Sequence, residues 1–166
     1  GAAEQDGDVV TPKLVLDCFP GGRRKALHMS YDDGAAADRR LVALFNQYGL
    51  RGTFFLNSGR LDADGYVGSG EVAALYAGHE VGVHGVTHPC LPHLPDERVI
   101  EEILEDRRAL ERLVGYVVRG MSYPGGDVSA RVASLLPRLG VALFIAFLFI
   151  QICEHHASVQ IKTTLL

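Results

Sequence analysis

The stretch HMSYDDG, at residues 28–34, is the part of the sequence from which the fold can be worked out. An apolar-to-polar run ends here on two adjacent carboxylates, Asp32 and Asp33, followed by Gly34. If residues 26–31 form a β-strand, the two carboxylates at its end point in different directions, because successive side chains alternate along a strand. One carboxylate can then face a metal ion while the other faces the molecule that the metal activates, and Gly34 lets the backbone turn.

Outward from this stretch, apolar strands alternate with amphipathic helices. The pattern predicts further strands at residues 9–19, 52–57, 80–83 and 116–122, and helices at residues 35–48, 70–77, 96–114 and 128–139. Each helix is followed by a glycine, at position 49, 78, 115 or 140, as is common at helix C-termini. This alternation predicts an α/β fold with parallel strands, in which functional groups gather where strand ends lead into loops.

Two further motifs lie at such strand ends. His84 and His88 are imidazoles four residues apart, and the sequence RGMSYPGG follows at residues 119–126. Imidazole combined with carboxylate suits zinc or a similar divalent ion, although two histidines in a loop can also be purely structural. A buried arginine in an α/β fold needs a carboxylate partner, so Arg119 either pairs inside the fold or forms a salt bridge at its rim.

Composition narrows the possible classes of protein. The 166 residues, 48% of them hydrophobic, predict one domain. The chain is long enough to form a real core but is short for a complete eight-stranded barrel. A net charge of -4 argues against nucleic acid or an anionic membrane surface as partner. Three cysteines are too few and too scattered for a disulfide framework. Residues 1–8 lack the pattern of a signal peptide, and localisation stays open.

The C-terminal stretch departs from the alternating pattern. Residues 141–150 read VALFIAFLFI, an unbroken apolar run, and residues 151–166 have no clear period. Because a membrane-spanning helix needs about 20 apolar residues, we interpret the run as a buried strand or core helix. An oligomer could form if this tail packs against a neighbouring copy. We also hypothesise that the tail is a truncated or frame-altered end of a longer barrel.

The motifs, taken in order, resemble those of the polysaccharide deacetylases, the NodB-like domain of carbohydrate esterase family 4. MSYDDG at residues 29–34, GVHGVTHP at 82–89 and RGMSYPGG at 119–126 are similar to the first three motifs of that family. The resemblance implies an α/β fold, a partial or distorted (β/α) barrel of the polysaccharide deacetylase type. It places the domain at residues 1–142, with catalytic motifs in residues 26–126 and an atypical apolar tail at residues 143–166.

The resemblance also implies roles for individual residues. Asp33, His84 and His88 would bind one divalent metal ion, most commonly zinc in this family. Asp32 would act as the general base, taking a proton from a water that attacks an acetamido carbonyl. Arg119 would orient Asp32 and pair with its charge.

The remaining implied residues belong to the substrate side of the site. The backbone N–H of Gly125 would help to stabilise an oxyanion, with Tyr123 beside it. Gly85 stands where the second motif usually has Ser or Thr, and Gly125 where the third usually has Tyr. The fourth and fifth motifs are absent, and the fifth normally supplies the imidazole acid. His155 and His156 are the only histidines after residue 119, in a sequence context that does not match.

These observations predict a metal-dependent hydrolase that removes N-acetyl groups from a carbohydrate of the polysaccharide, chitooligosaccharide or peptidoglycan type. Two alternatives remain open. The missing motifs would fit a catalytically impaired member that binds glycan, and a small-amide C–N hydrolase could use the same scaffold. The sequence does not identify the substrate, the general acid or the oligomeric state.

Overall fold

The structure, a computed structural model, describes residues 22–23, 25–143 and 151–154. Its centre is a parallel sheet of five strands in the order β2-β3-β4-β5-β6. A separate pair of strands, β1 and β7, is antiparallel. In chain order the strands are β1 (Lys25–His28), β2 (Ser30–Asp33), β3 (Thr53–Leu56), β4 (Glu80–Val83), β5 (Gly120–Met121), β6 (Ala142–Leu143) and β7 (Gln151–Glu154).

Within the described residues, four α-helices connect these strands. They are α1 (Asp38–Gln47), α2 (Val72–Leu75), α3 (Asp96–Val114) and α4 (Ala130–Leu135). The longest, α3, packs against β4 through an apolar stripe that includes Val99, Ile103 and Leu110, all fully buried. In the described part of the chain, no helix has both the length and the hydropathy needed to cross a bilayer.

The register of the sheet brings the ends of four strands to one edge. Asp33 pairs with Leu56, Leu56 with Val83, and Val83 with Met121. The residues that directly follow three of these, Asn57, His84 and Ser122, therefore lie side by side at the carboxyl edge of the sheet.

The predicted α/β fold with parallel strands is confirmed, and the ends of β4 and α3 fall where the sequence predicted them. The strand predicted at residues 26–31 is instead divided at Met29, because residues 25–28 pair with β7 while residues 30–33 pair with β3. The strand predicted at residues 116–122 is reduced to β5. The helix predicted at residues 128–139 becomes α4 followed by a 3₁₀ turn around Pro137, whose ring disfavours a continuous α-helix.

Two predictions fall wholly or partly outside the described residues. The strand predicted at residues 9–19 lies outside them, as do His155 and His156. Of the apolar run at residues 141–150, Ala142 and Leu143 form β6, and residues 144–150 lie outside. The domain boundary at residue 142 stays a prediction.

Candidate metal centre and catalytic site

Three predicted metal ligands meet at the carboxyl edge of the sheet. Asp33 ends β2, His84 directly follows β4, and His88 lies four residues further along the same loop. The Nε2 atoms of His88 and His84 lie 3.3 and 3.7 Å from Oδ1 of Asp33. All three potential ligand atoms lie within 4.8 Å of one another.

The arrangement of these three side chains fits a divalent cation. Oδ1 of Asp33 is buried and accepts no hydrogen bond from the described residues, and its ion pair with Arg60 is long, at 3.6 Å, so a cation would satisfy this carboxylate oxygen. Ligands about 2.1 Å from a tetrahedral zinc ion are about 3.4 Å apart, close to the observed spacings around Asp33. Two imidazole nitrogens and one carboxylate oxygen also match the three-ligand pattern of catalytic zinc sites.

The backbone at these ligands is held in an unusual conformation. Asp33 has φ +77° and His88 has φ +61°, both in the left-handed region that non-glycine residues seldom adopt. Gly85, between the two histidines, has φ +77°. Such positions cost about 1–3 kcal/mol for a non-glycine residue and persist where surrounding contacts fix them, often at functional sites.

His84 is oriented by Ser122. The imidazole is 1% exposed, and its Nδ1 lies 3.1 Å from the carbonyl oxygen and 2.6 Å from the Oγ of Ser122. With the proton on Nδ1 donated to Ser122, the lone pair of Nε2 is free to bind a cation held beside Asp33, as metal-binding histidines require. Burial lowers the pKa of His84 to about 4, which keeps the ring neutral at physiological pH.

Asp32 lies beside the ligand cluster and is not one of its members. Its Oδ2 is 3.9 Å from Nε2 of His84, and its Oδ1 accepts a hydrogen bond of 3.1 Å from the Ser122 hydroxyl. Burial raises the pKa of Asp32 to about 6; the Ser122 hydrogen bond opposes the rise, and the charge of Asp33 adds to it. A carboxylate with this pKa can accept a proton near neutral pH.

Arg119, predicted to pair with Asp32, does not contact it. The Arg119 side chain is exposed, and within the described residues no ion pair or hydrogen bond joins it to Asp32. Its carbonyl accepts a hydrogen bond from Ala142, so the backbone belongs to the sheet while the guanidinium stays in water, which avoids the cost of burying a charge. Among the described residues, Arg60 is the arginine that forms an ion pair with a proposed ligand: its NH1 is 3.6 Å from Oδ1 of Asp33.

The two predicted substrate residues lie in different environments. Tyr123 is 2% exposed and belongs to the apolar core, so its ring does not line an open groove. Gly125 is exposed, with φ +71°, in the 3₁₀ turn Pro124–Gly126. Gly126 donates its N–H to the carbonyl of Tyr123, and proline has no N–H, which leaves that of Gly125 as the candidate oxyanion donor.

Four further residues contact the site although no role was predicted for them: Ser122, Asn57, Glu102 and Asp106. Asn57 is fully buried, and its Nδ2 donates hydrogen bonds of 2.6 and 2.7 Å to the carbonyls of His84 and Gly85. One signal was present in the sequence: Asp106 lies on the apolar stripe of α3, where a charged residue needs a buried partner.

Comparison with known proteins gives the family of the chain. A family model described as polysaccharide deacetylase matches residues 20–144. The chain therefore belongs to the polysaccharide deacetylase family.

Curated relatives of known name are distant and longer. A peptidoglycan-N-acetylmuramic acid deacetylase of Bacillus subtilis is 25% identical over 123 residues, which cover 73% of this chain and 26% of the relative. Chitin deacetylase 1 of Cryptococcus neoformans is 24% identical over 114 residues, covering 68% of this chain and 24% of the relative. The chain thus spans about a quarter of the length of these two relatives.

Solved structures share the fold. A polysaccharide deacetylase from Bacillus cereus superposes with a TM-score of 0.67 at 18% identity, covering 78% of this chain and 43% of that one. A family 4 carbohydrate esterase from Streptomyces lividans, in complex with acetate, superposes with a TM-score of 0.59 at 24% identity. The match covers 71% of this chain and 60% of the esterase. A family 4 pseudoenzyme from Bacillus anthracis superposes with a TM-score of 0.62 at 18% identity. The match covers 70% of this chain and 41% of the pseudoenzyme. The predicted partial barrel of the deacetylase type is therefore confirmed as a fold.

Proposed function

We propose that this protein is a metal-dependent N-deacetylase acting on an N-acetylated carbohydrate, with zinc as its metal. The observation that carries the proposal is the cluster of Asp33, His84 and His88 with Asp32 directly beside it. The names of the relatives, which include peptidoglycan and chitin deacetylases, support a carbohydrate substrate.

The chain's own residues account for the chemistry on the metal side. A divalent cation at these ligands would supply Lewis acidity and lower the pKa of a water molecule. Asp32 takes the proton from the attacking water, since its raised pKa and its position next to the ligands suit a general base. Ser122 holds both Asp32 and His84, and so fixes the base relative to the ligands.

The substrate side of the proposed mechanism depends on fewer contacts. The N–H of Gly125 is the proposed donor to the oxyanion that develops on the acetamido carbonyl. Arg119 is not proposed to orient Asp32, because Ser122 occupies that role among the described residues.

A catalytically impaired, glycan-binding protein is the second candidate. Two observations favour it: Arg119 lies away from Asp32, and the general acid of the family has no counterpart among the described residues. One of the structural neighbours is itself a pseudoenzyme, which makes this outcome plausible for the fold.

Acetate release from an N-acetylglucosamine oligomer separates these candidates. The wild-type protein and the Asp32→Asn variant would be assayed with zinc, and again after treatment with a chelator. Zinc-dependent release that is lost in Asp32→Asn would support the deacetylase. Metal binding without acetate release would favour the impaired protein, and release only from a small N-acetylated amide would favour the small-amide hydrolase.

A further inference from the structure

Two buried carboxylates on α3 contact the loop that carries the histidine ligands. Asp106 is fully buried, and its Oδ1 accepts a hydrogen bond of 2.7 Å from the backbone N–H of Ser58. Its Oδ2 accepts a bond of 3.0 Å from the backbone N–H of His84, which the carbonyl of Leu56 shares at 3.1 Å. Asp106 therefore fixes the backbone at the point where β4 passes into the loop.

Glu102 lies one helical turn earlier and contacts the other end of the same loop. Its side chain is 5% exposed, and its Oε2 accepts a hydrogen bond of 2.9 Å from the backbone N–H of Thr87. Its Oε1 accepts a second bond, of 2.8 Å, from the Thr87 hydroxyl. Thr87 directly precedes His88, so Glu102 holds the backbone next to the second histidine ligand.

The use of carboxylates at these two positions needs an explanation beyond helix packing. Burying a carboxylate costs several kcal/mol unless it is fully hydrogen-bonded, and an apolar residue would serve the contact between α3 and β4 at lower cost. All four oxygens of Glu102 and Asp106 accept hydrogen bonds, three of them from the ligand loop and one from Ser58. All the oxygens of the two carboxylates are thus hydrogen-bonded to the loop or to Ser58.

The loop itself requires such support. His88 is a non-glycine residue with φ +61°, a conformation that costs free energy, so the backbone at this ligand would relax if it were not held. Hydrogen bonds from backbone N–H groups to a charged carboxylate are stronger than those to a neutral carbonyl. Two carboxylates at the two ends of a short loop can therefore fix the separation of its imidazoles.

We propose that Glu102 and Asp106 are positioning residues that hold His84 and His88 at the spacing a divalent cation requires. This inference rests on the proposed metal site and adds to it the residues that set its affinity. Loss of such supporting contacts typically weakens metal binding by about 10- to 100-fold.

Titration of the metal-free protein with cobalt(II) tests this role. The visible absorption band of bound cobalt reports ligand geometry, and the titration gives the dissociation constant. We expect Asp106→Asn to raise that constant by about 10- to 100-fold and to alter the band, because it places an NH₂ group opposite an N–H donor. Glu102→Gln should raise the constant less, because the amide can still accept from the Thr87 N–H and donate to the Thr87 hydroxyl but has lost the charge that strengthens these bonds.

Matched variants on the same helix separate positioning from stability. Ile103→Val removes a methyl group from the buried stripe and should lower the free energy of unfolding by about 0.5–1.5 kcal/mol without changing cobalt affinity. Glu105→Gln makes the same chemical change as Glu102→Gln at an exposed position, and should change neither quantity.

Variants of Thr87 keep the test decisive if a carboxylate variant fails to fold. Thr87→Val removes the hydroxyl donor to Glu102 and should weaken cobalt binding, whereas Thr87→Ser keeps that donor and should retain the wild-type constant. If the wild-type protein binds no cobalt, both the proposed metal site and this inference are wrong. If the wild type binds cobalt and the Glu102, Asp106 and Thr87→Val variants bind it equally well with an unchanged band, this inference alone is wrong.

Discussion

The loop at residues 84–88 and the segment at residues 119–126 were both predicted to form the site, and they differ in how they are held. In the loop, every residue from His84 to Thr87 makes a backbone hydrogen bond to another part of the site: to Leu56, Asp106, Asn57, Gly59 or Glu102. In the later segment, Ser122 contacts both Asp32 and His84, whereas Arg119 and Gly125 are exposed.

This difference separates two parts of the proposed chemistry. The ligands and the base are fixed by contacts within residues 32–122, so metal binding and proton removal depend on groups that the fold already positions. The proposed oxyanion donor, Gly125, lies in the less supported segment. We therefore expect metal binding to be more robust than substrate turnover.

The largest expected effect comes from removing a ligand in the loop. His88→Ala should reduce zinc-dependent acetate release by about 100-fold or more, because the cation loses one of three protein ligands. The measurement is the initial rate of acetate release at saturating zinc. His93→Ala, at an exposed histidine just after the loop, is the matched control and should keep wild-type activity. Equal activity of the two variants would contradict the assignment of His88.

Metal binding should also stabilise the fold. Zinc at 100 times its dissociation constant should raise the free energy of unfolding by about 2.7 kcal/mol, since it binds the folded state preferentially. Urea unfolding with zinc and with a chelator measures this difference. Arg119→Ala should show the full effect, because Arg119 contacts none of the three ligands. A loss of zinc stabilisation in that variant would show that the two segments are coupled.

Serine substitutions at two glycines compare the loop and the segment directly. Gly85 and Gly125 have φ +77° and +71°, so serine at either should cost about 1–2 kcal/mol of stability. A Cβ at Gly85 would also lie 3.3 Å from Cδ of Pro89 and 3.5 Å from Oε2 of Glu102, whereas one at Gly125 meets nothing within 4 Å. Zinc affinity should therefore fall in Gly85→Ser and stay unchanged in Gly125→Ser. An equal loss in both would argue against a specially supported loop.

The smallest expected effect is on the pH dependence of acetate release. Asp32 accepts a proton only when ionised, so the rate falls as the pH drops through its pKa. The Ser122 hydroxyl lowers that pKa, and Ser122→Ala should move the acidic limb of kcat/KM to higher pH by roughly half to one unit. Arg119→Ala should leave the limb in place. A shift to higher pH in Arg119→Ala would instead support the predicted pairing of Arg119 with Asp32.

Much of the fold followed from local patterns in the sequence, and the ligand set followed from the resemblance to a known family. The ends of β4 and α3 were predictable because alternation and helical periodicity are local properties, and the glycine after α3 adopts the expected left-handed conformation. Asp33, His84 and His88 were predicted as a group from the resemblance to the family's motifs, and the parallel sheet brings the strand ends that carry them to one edge.

Other features depended on tertiary contacts that no local pattern encodes. The direction of the Arg119 side chain is set by how β5 and β6 pair. With only two residues, β5 is too short for its alternation to be recognised in the sequence. Glu102 and Asp106 belong to a helix with many charges, and only their positions on its buried face distinguish them from the exposed acids.

The most direct test of the account is the zinc content of two adjacent asparagine variants. Asp32→Asn and Asp33→Asn would be equilibrated with zinc, freed of unbound metal by gel filtration and measured by elemental analysis beside the wild type. We expect one zinc per chain in the wild type and in Asp32→Asn, and little or none in Asp33→Asn, because Asp33 belongs to the proposed ligand set and Asp32 does not. A wild-type protein without zinc, or equal zinc in both variants, would contradict it.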